Sequence, residues 1–197
     1  MPSLWADSLD EHRELVRSRL LDAFGELVAQ HGVDGVTLSS VAERAGIARS
    51  AIYNYVKDKH DLMLAYADRV VGSTVAEIRA VMASADPAER LRGYVAINFR
   101  AMTTDRAVGH DLLPLLSPEE QARLLAHLAP VRELLAEIIA DGVAQGVFVG
   151  DPEALHRAAW ALLSGYRTML IRDEVDLDEA IATASSVLLR GLSGQVV

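Results

Sequence analysis

The 197-residue sequence predicts an all-α protein. Three observations carry that expectation. Apolar residues recur at three- and four-residue spacing along almost the whole chain, while period-two alternation is almost absent. Three segments, Asp86-Pro87-Ala88-Glu89, Ser117-Pro118-Glu119-Glu120 and Asp151-Pro152-Glu153, set an oxygen-bearing cap before a proline, whose missing N–H costs nothing in a first helical turn. Alanine and leucine dominate while aromatics make up 5%, which suits helices packed closely through small side chains.

The elements follow in order. Val16, Leu20, Phe24 and Leu27 form the stripe of a short helix that Gly32 can end. Thr37 can cap a second short helix carrying Val41, Ala42 and Ala45, closed by Gly46. A third runs through Ile52 and Tyr55. Asp58 then caps a long helix with the stripe Leu62, Tyr66, Val70, Thr74, Ile78 and Val81. The proline-marked segments open later helices, the first two completing a capping-box pattern with Glu. Asp176-Leu177-Asp178-Glu179 opens the last without a proline. Pro130 should break or kink the run from 118 to 145. The expectation is three short helices followed by about six longer ones, with no internal repeat and no low-complexity linker.

The chain has no cysteine, which excludes disulfides and thiolate metal sites and allows a reducing compartment. Its first residues, MPSLWADSLDEHRELV, hold no apolar run of signal-peptide length, and no stretch nears the roughly 18 apolar residues of a spanning helix. A soluble, cytoplasmic protein without a membrane partner is expected. The net charge of −9 is uneven: residues 1–10 carry −2, residues 11–60 are neutral and residues 61–197 carry −7. A neutral N-terminal unit on an acidic body permits a local basic face, because salt confines electrostatics to roughly 8 Å.

Residues 37–55 read as two short helices at an angle. Val41 and Ala45 face inward from the first, and Ile47, Ile52 and Tyr55 from the turn and the second. Ala42 is small where the helices cross, Gly46 can take the positive φ of a tight turn, and Ile52 plugs the space between them. This spacing fits a helix-turn-helix whose second helix enters the major groove, and equally an ordinary αα-hairpin with a glycine turn. The outward positions favour the first. Arg49, Ser50 and Asn54 can bond base edges, and Tyr53 offers a hydroxyl to a phosphate oxygen. Lys57 and Lys59, the only two lysines beside 17 arginines, flank the start of the long helix. The amides and dipole there favour an anion, so the lysines can grip a backbone phosphate, Lys57 being the one that also fits a solvated cluster with Asp58 and Asp61.

The run LLDAFGELVAQHGVDGVTLSSVAERAGIARSAIYNYVKDKHDLMLAY, residues 20 to 66, resembles the tetracycline-repressor-like (TetR) family of one-component bacterial transcriptional regulators. The order is a helix ending in His-Gly, then Thr-Leu, Val-Ala-x-x-Ala-Gly, an aromatic-rich recognition helix and Lys59-His60-Asp61-Leu62. The resemblance implies that Thr37, Tyr53, Tyr55 and Lys59 face phosphates and that Arg49, Ser50 and Asn54 hold the variable base-reading positions. Two residues depart from the pattern. Tyr55 stands where histidine is common, which leaves open a core role. Val56 stands where phenylalanine is common, which is expected to weaken packing below the recognition helix.

The resemblance further implies a helix-turn-helix DNA-binding domain over residues 1–60 and a regulatory domain, binding an effector and dimerising, over residues 61–197. The expected partners are a double-stranded DNA operator, a second copy of the chain and a small-molecule effector of unknown identity, with no cofactor. Ala154, Ala158, Ala161 and Gly165 make a small-residue stripe at helical spacing, to be buried within the chain or against another copy. A two-fold four-helix interface over residues 131–145 and 152–190 is the preferred reading. Candidate effector-pocket residues are polar or aromatic groups at inward positions: Tyr94, Asn98, Met102, His110, His127, Trp160 and Tyr166.

Enzyme readings find little support. Glu153-Ala154-Leu155-His156 has the Glu-x-x-His spacing of helical di-iron sites, but no second copy accompanies it. The six histidines have no close metal spacing, and no nucleophile motif or phosphate loop appears, so neither metal nor catalytic residues are expected. The rival is a helical-bundle binding protein with no DNA function, which predicts no affinity for duplex DNA at low salt.

Overall fold

The first helix is much longer than the apolar stripe that marks it in the sequence. In the computed structural model, which describes residues 3–104, 117–119, 122, 126 and 128–194, α1 spans Ser3–His31, 29 residues rather than a short element. Val16, Leu20, Phe24 and Leu27 are buried along it as expected. Thr37 caps α2, Leu38–Arg44: its hydroxyl accepts the Ser40 N–H, and the Ser40 hydroxyl accepts the Thr37 N–H, each at 3.1 Å. Serine thus closes a reciprocal box usually closed by a longer side chain.

Gly46 has φ +71, and the Ile47 amide folds back to the Ala42 carbonyl at 2.9 Å. The recognition segment that follows is a single 3₁₀ turn, Ala51–Asn54, and not the short α-helix expected through Tyr55. With Ile52 fully buried and Asp58 already capping the next helix, this stretch closes with the Tyr55 amide on the Ile52 carbonyl. Val56 is 4% exposed within the same core, so the smaller side chain is packed in place rather than leaving the segment loose.

Helix α3, Lys59–Val81, starts where Asp58 accepts the Asp61 amide at 2.8 Å. Leu62, Tyr66, Thr74 and Ile78 of its expected stripe are buried, and Val70 and Val81 half-buried. Two apolar clusters meet on this helix. One joins α1, α2 and the 3₁₀ turn to its first half as far as Ala67; the other starts at Val71 and joins the remaining helices.

The second cluster is built from α4 (Pro87–Thr104), α5 (Ala129–Ala144), α6 (Pro152–Ile171) and α7 (Leu177–Leu192). Helix α4 lies at its centre, against α3, α5, α6 and α7. Three acidic caps act as the sequence indicates: Asp86 accepts the Ala88 amide, Asp151 that of Ala154, and Asp176 those of Asp178 and Glu179. Glu89, expected to close a capping box, instead accepts the Ser84 hydroxyl at 2.8 Å. Pro130 sits in the first turn of α5, so it begins a helix and does not kink one. The helix expected from Ser117 falls mostly outside the described residues, as does its Glu120.

Gly142 marks the tightest approach in this half. A Cβ there would lie 2.0 Å from the ring of Phe148, which is itself buried and whose amide returns to the Gly142 carbonyl at 3.0 Å. The small-residue stripe of α6 lies elsewhere than expected for an intrachain contact: Ala154, Ala158, Ala161 and Gly165 are all exposed. Among the described residues no helix is long and apolar enough to cross a membrane.

Candidate nucleic-acid interface and effector region

The turn at Gly46 and the plug at Ile52 fix which side chains the recognition segment turns outward. Arg49, Ser50, Tyr53 and Asn54 are exposed, Tyr53 by 64% despite its large ring. Arg49 meets Glu43 at 3.4 Å with both side chains more than 70% exposed, a pair worth little in water that leaves the guanidinium available to another partner. Tyr55 is half-buried against the first core cluster. Thr37 is exposed, with its hydroxyl engaged in the α2 cap.

The two lysines are not equivalent. Lys57 is exposed, and its ammonium has no partner among the described residues. Lys59 is half-buried and donates to the Val33 carbonyl at 2.6 Å, holding the start of α3 against the α1–α2 loop. The amides at this helix start are also less open than expected. Asp58 takes the amide of Asp61, and Asp61 takes that of Lys57 at 2.9 Å. Two carboxylates therefore hold the positive end of the dipole, and the cationic groups left at this helix start are the lysine side chains.

Arg13 was not singled out from the sequence. Its guanidinium reaches the Asn54 carbonyl at 3.4 Å, bringing a cation from α1 to the edge of the recognition turn. A stripe that begins at Val16 gives no hint that α1 extends far enough back to carry it.

In the second cluster, Tyr94 is fully buried and its hydroxyl donates to the Val131 carbonyl at 3.1 Å. Burial raises its phenol above the ordinary value, against an opposing pull from Arg167. Asn98, one turn further along α4, is 8% exposed. Tyr166 is half-buried on α6, its ring 6.1 Å from that of Phe99 on α4. Trp160 is half-buried, with the guanidinium carbons of Arg132 and Arg167 at 5.7 and 5.8 Å from its ring centre. These two arginines were missed; Arg167, seven residues after Trp160, shares its helix face, whereas Arg132 comes from α5 with no sequence signal. The side chain of Met102, with His110 and His127, lies outside the described residues. Glu153 is paired with Arg157 at 2.6 Å, the role of an acidic first turn.

Comparison with known proteins places this geometry. Residues 20–66 match the family model of the bacterial regulatory proteins of the tetR family, and residues 87–188 that of the tetracyclin repressor-like C-terminal domain. The HTH-type transcriptional regulator BetI of Paraburkholderia xenovorans (strain LB400) is 35% identical over 134 residues, 66% of this chain and 68% of that protein. BetI of Paraburkholderia phytofirmans is 35% identical over 124 residues, and the chain spans only 60% of its length. Among solved structures, the TetR family transcriptional regulator PfmR from Thermus thermophilus superposes with a TM-score of 0.68 at 23% identity, covering 91% of this chain and all of that one. FadR from Bacillus subtilis, in complex with stearoyl-CoA, gives 0.72 at 20% identity over 91% and 99% of the two chains. The N-terminal match spans the Gly46 turn and the exposed recognition face, and the C-terminal match alone covers more than half of the sequence. The chain belongs to the TetR family of bacterial transcriptional regulators.

Proposed function

We propose that the chain is a ligand-responsive repressor that binds a palindromic operator as a homodimer and leaves it when a small molecule occupies its C-terminal helices. Residues 1–60 form the reading unit in this scheme and residues 61–197 the regulatory unit. The observation that carries the reading is the exposed face of Arg49, Ser50, Tyr53 and Asn54, held outward by the buried Ile52 and the Gly46 turn. Arg49, Ser50 and Asn54 read base edges. Tyr53, Tyr55, Thr37, Lys57 and Lys59 contact the backbone, which fixes register without carrying sequence. The four exposed small residues of α6 face the second copy. Tyr94, Asn98, Trp160 and Tyr166 contribute to the effector site.

Helix α3 is the element that links the two units, because one helix belongs to both apolar clusters. An effector that binds the second cluster differently in two states of the dimer shifts the separation of the reading heads by that difference in affinity and no more. Selection of binding sites from genomic fragments tests the reading directly. A palindromic consensus bound at low salt, and released by a metabolite of the neighbouring genes, is the expected result. Absence of duplex binding at low salt would favour a helical-bundle binding protein without DNA function.

A further inference from the structure

The surroundings of Trp160 hold positive charge without a matching acid. Arg132 from α5 and Arg167 from α6 both lie over its ring, and neither has a carboxylate within ion-pair distance among the described residues. His156, one turn earlier on α6, has a buried Nε2 with no partner among the described residues. In a chain with 28 acidic residues and a net charge of −9, two guanidinium groups left without an ion pair are conspicuous; Glu153, which acts on His156, is itself paired with Arg157.

Two like charges over one partly buried ring repel each other more than they would in water. Arg167 is the more enclosed of the two, and burial lowers its pKa. Tyr94 lies close enough to influence it, but the phenol donates its proton to the Val131 carbonyl and its raised pKa keeps it neutral. No carboxylate among the described residues pairs with either guanidinium. Tyr166, next to Arg167 in sequence, is half-buried with its ring 6.1 Å from that of the fully buried Phe99, so of this pair it is Tyr166 that offers apolar surface. A cationic ligand is disfavoured by the same arrangement, since the aromatic ring that would attract it already carries two guanidinium groups.

We propose that Arg132 and Arg167, with His156, form an anion-binding subsite, and that the effector is an organic anion with a carboxylate or phosphate head and an apolar body resting on Tyr166. This rests on the reading of the chain as a ligand-responsive regulator. Guanidinium groups suit both heads through paired, charge-assisted hydrogen bonds, and His156, whose other ring nitrogen donates to the Arg132 backbone, presents an Nε2–H once a bound anion stabilises its protonated form.

The test uses the full chain with Trp5→Phe, which leaves Trp160 as the single tryptophan and its fluorescence as the readout. Four probes are titrated below their micelle concentrations: dodecanoate, dodecyl phosphate, dodecanol and dodecyltrimethylammonium. At least one anion should bind roughly tenfold or more tighter than dodecanol, and the tighter of the two anions identifies the head group. Arg167→Gln should lose that advantage. Arg132→Gln, at an exposed position, should weaken it too and serves if the first variant does not fold. Equal binding of dodecanol, tighter binding of the ammonium, no binding of any probe, or undiminished anion affinity in the glutamine variants would overturn the subsite. Duplex binding by the wild type is measured separately. Loss of the subsite with DNA binding intact sinks only this inference, and anion binding without DNA binding sinks only the repressor reading.

Discussion

The ammonium of Lys59 donates to the main-chain carbonyl of Val33 across 2.6 Å, tying the first turn of α3 to the loop that leads into α2. The lysine is therefore a structural tie as well as a cation at the proposed DNA face. Lys59→Ala should destabilise the DNA-free protein by about 1–2 kcal/mol, the scale of a hydrogen bond from a charged donor in a half-buried place. Lys57→Ala, at an exposed position, should stay within about 0.5 kcal/mol. Denaturant titration of both variants checks this. In DNA binding, Lys59→Ala should flatten the dimer's log K against log salt slope by roughly 2, at about 0.9 per lost phosphate contact. Lys57, exposed and solvated, should neutralise a phosphate only part of the time and so flatten the slope by less than about 0.9 per copy. A stability loss with an unchanged slope would reduce Lys59 to the tie alone.

Arg49 and Tyr53 separate base reading from backbone contact. Arg49→Ala should relax preference at one position per half-site, costing about 1–3 kcal/mol for the favoured base. Stability should move by no more than about 0.5 kcal/mol, since the exposed Glu43 pair is weak. Tyr53→Phe should weaken all duplexes alike. Binding-site selection with both variants is the measurement. An unchanged consensus for Arg49→Ala would remove that side chain from the reading set.

Much of this arrangement is visible in the sequence because local chemistry dictates it. Asp58, Asp86, Asp151 and Asp176 cap because a short carboxylate before a helix meets the free amides whatever the tertiary setting. Gly46 turns because few other residues take φ +71 without strain. What escaped notice depends on partners far along the chain. The length of α1 is hidden because the recurring apolar stripe begins only at Val16, and residues 11–15 just before it are exposed. The Lys59–Val33 bond joins residues 26 positions apart, and the convergence of Arg132 and Arg167 on Trp160 needs two helices to pack. Exposure of the α6 stripe is likewise a tertiary fact: small residues at helical spacing read the same whether their neighbour is in this chain or another.

The approach of Phe148 to Gly142 should make Gly142→Ala destabilising even though alanine is the better helix former. The added Cβ would meet the ring at 2.0, 2.3 and 2.8 Å from three of its carbons, and a ring buried to 2% exposure has little room to move. Overpacking of this kind should cost about 2 kcal/mol or more. The cost should vanish in a Phe148→Ala background, where alanine regains its propensity advantage of about 1 kcal/mol over glycine. A double-mutant cycle by urea unfolding reads the coupling. A similar penalty in both backgrounds would place the clash elsewhere.

Ala161 tests the proposed dimer. It lies mid-helix in α6 with Ala154, Ala158 and Gly165, all exposed, and the same half of the chain leaves Met169 37% and Val187 48% exposed on α6 and α7. Small side chains let a second helix approach closely, and the apolar ones lose water when it does. In a two-fold interface each residue near the axis faces its own copy, so Ala161→Glu introduces two carboxylates at once, and like charges there repel. Light scattering of the wild type at micromolar concentration should give twice the 21.3 kDa of the chain, and the glutamate variant should move towards the single mass. Its operator affinity should fall steeply at low protein concentration, because two separate monomers no longer share one binding event. Helical content should hold, since an exposed alanine supports no core in the isolated chain. A variant that keeps both its doubled mass and its operator affinity would move the interface away from α6.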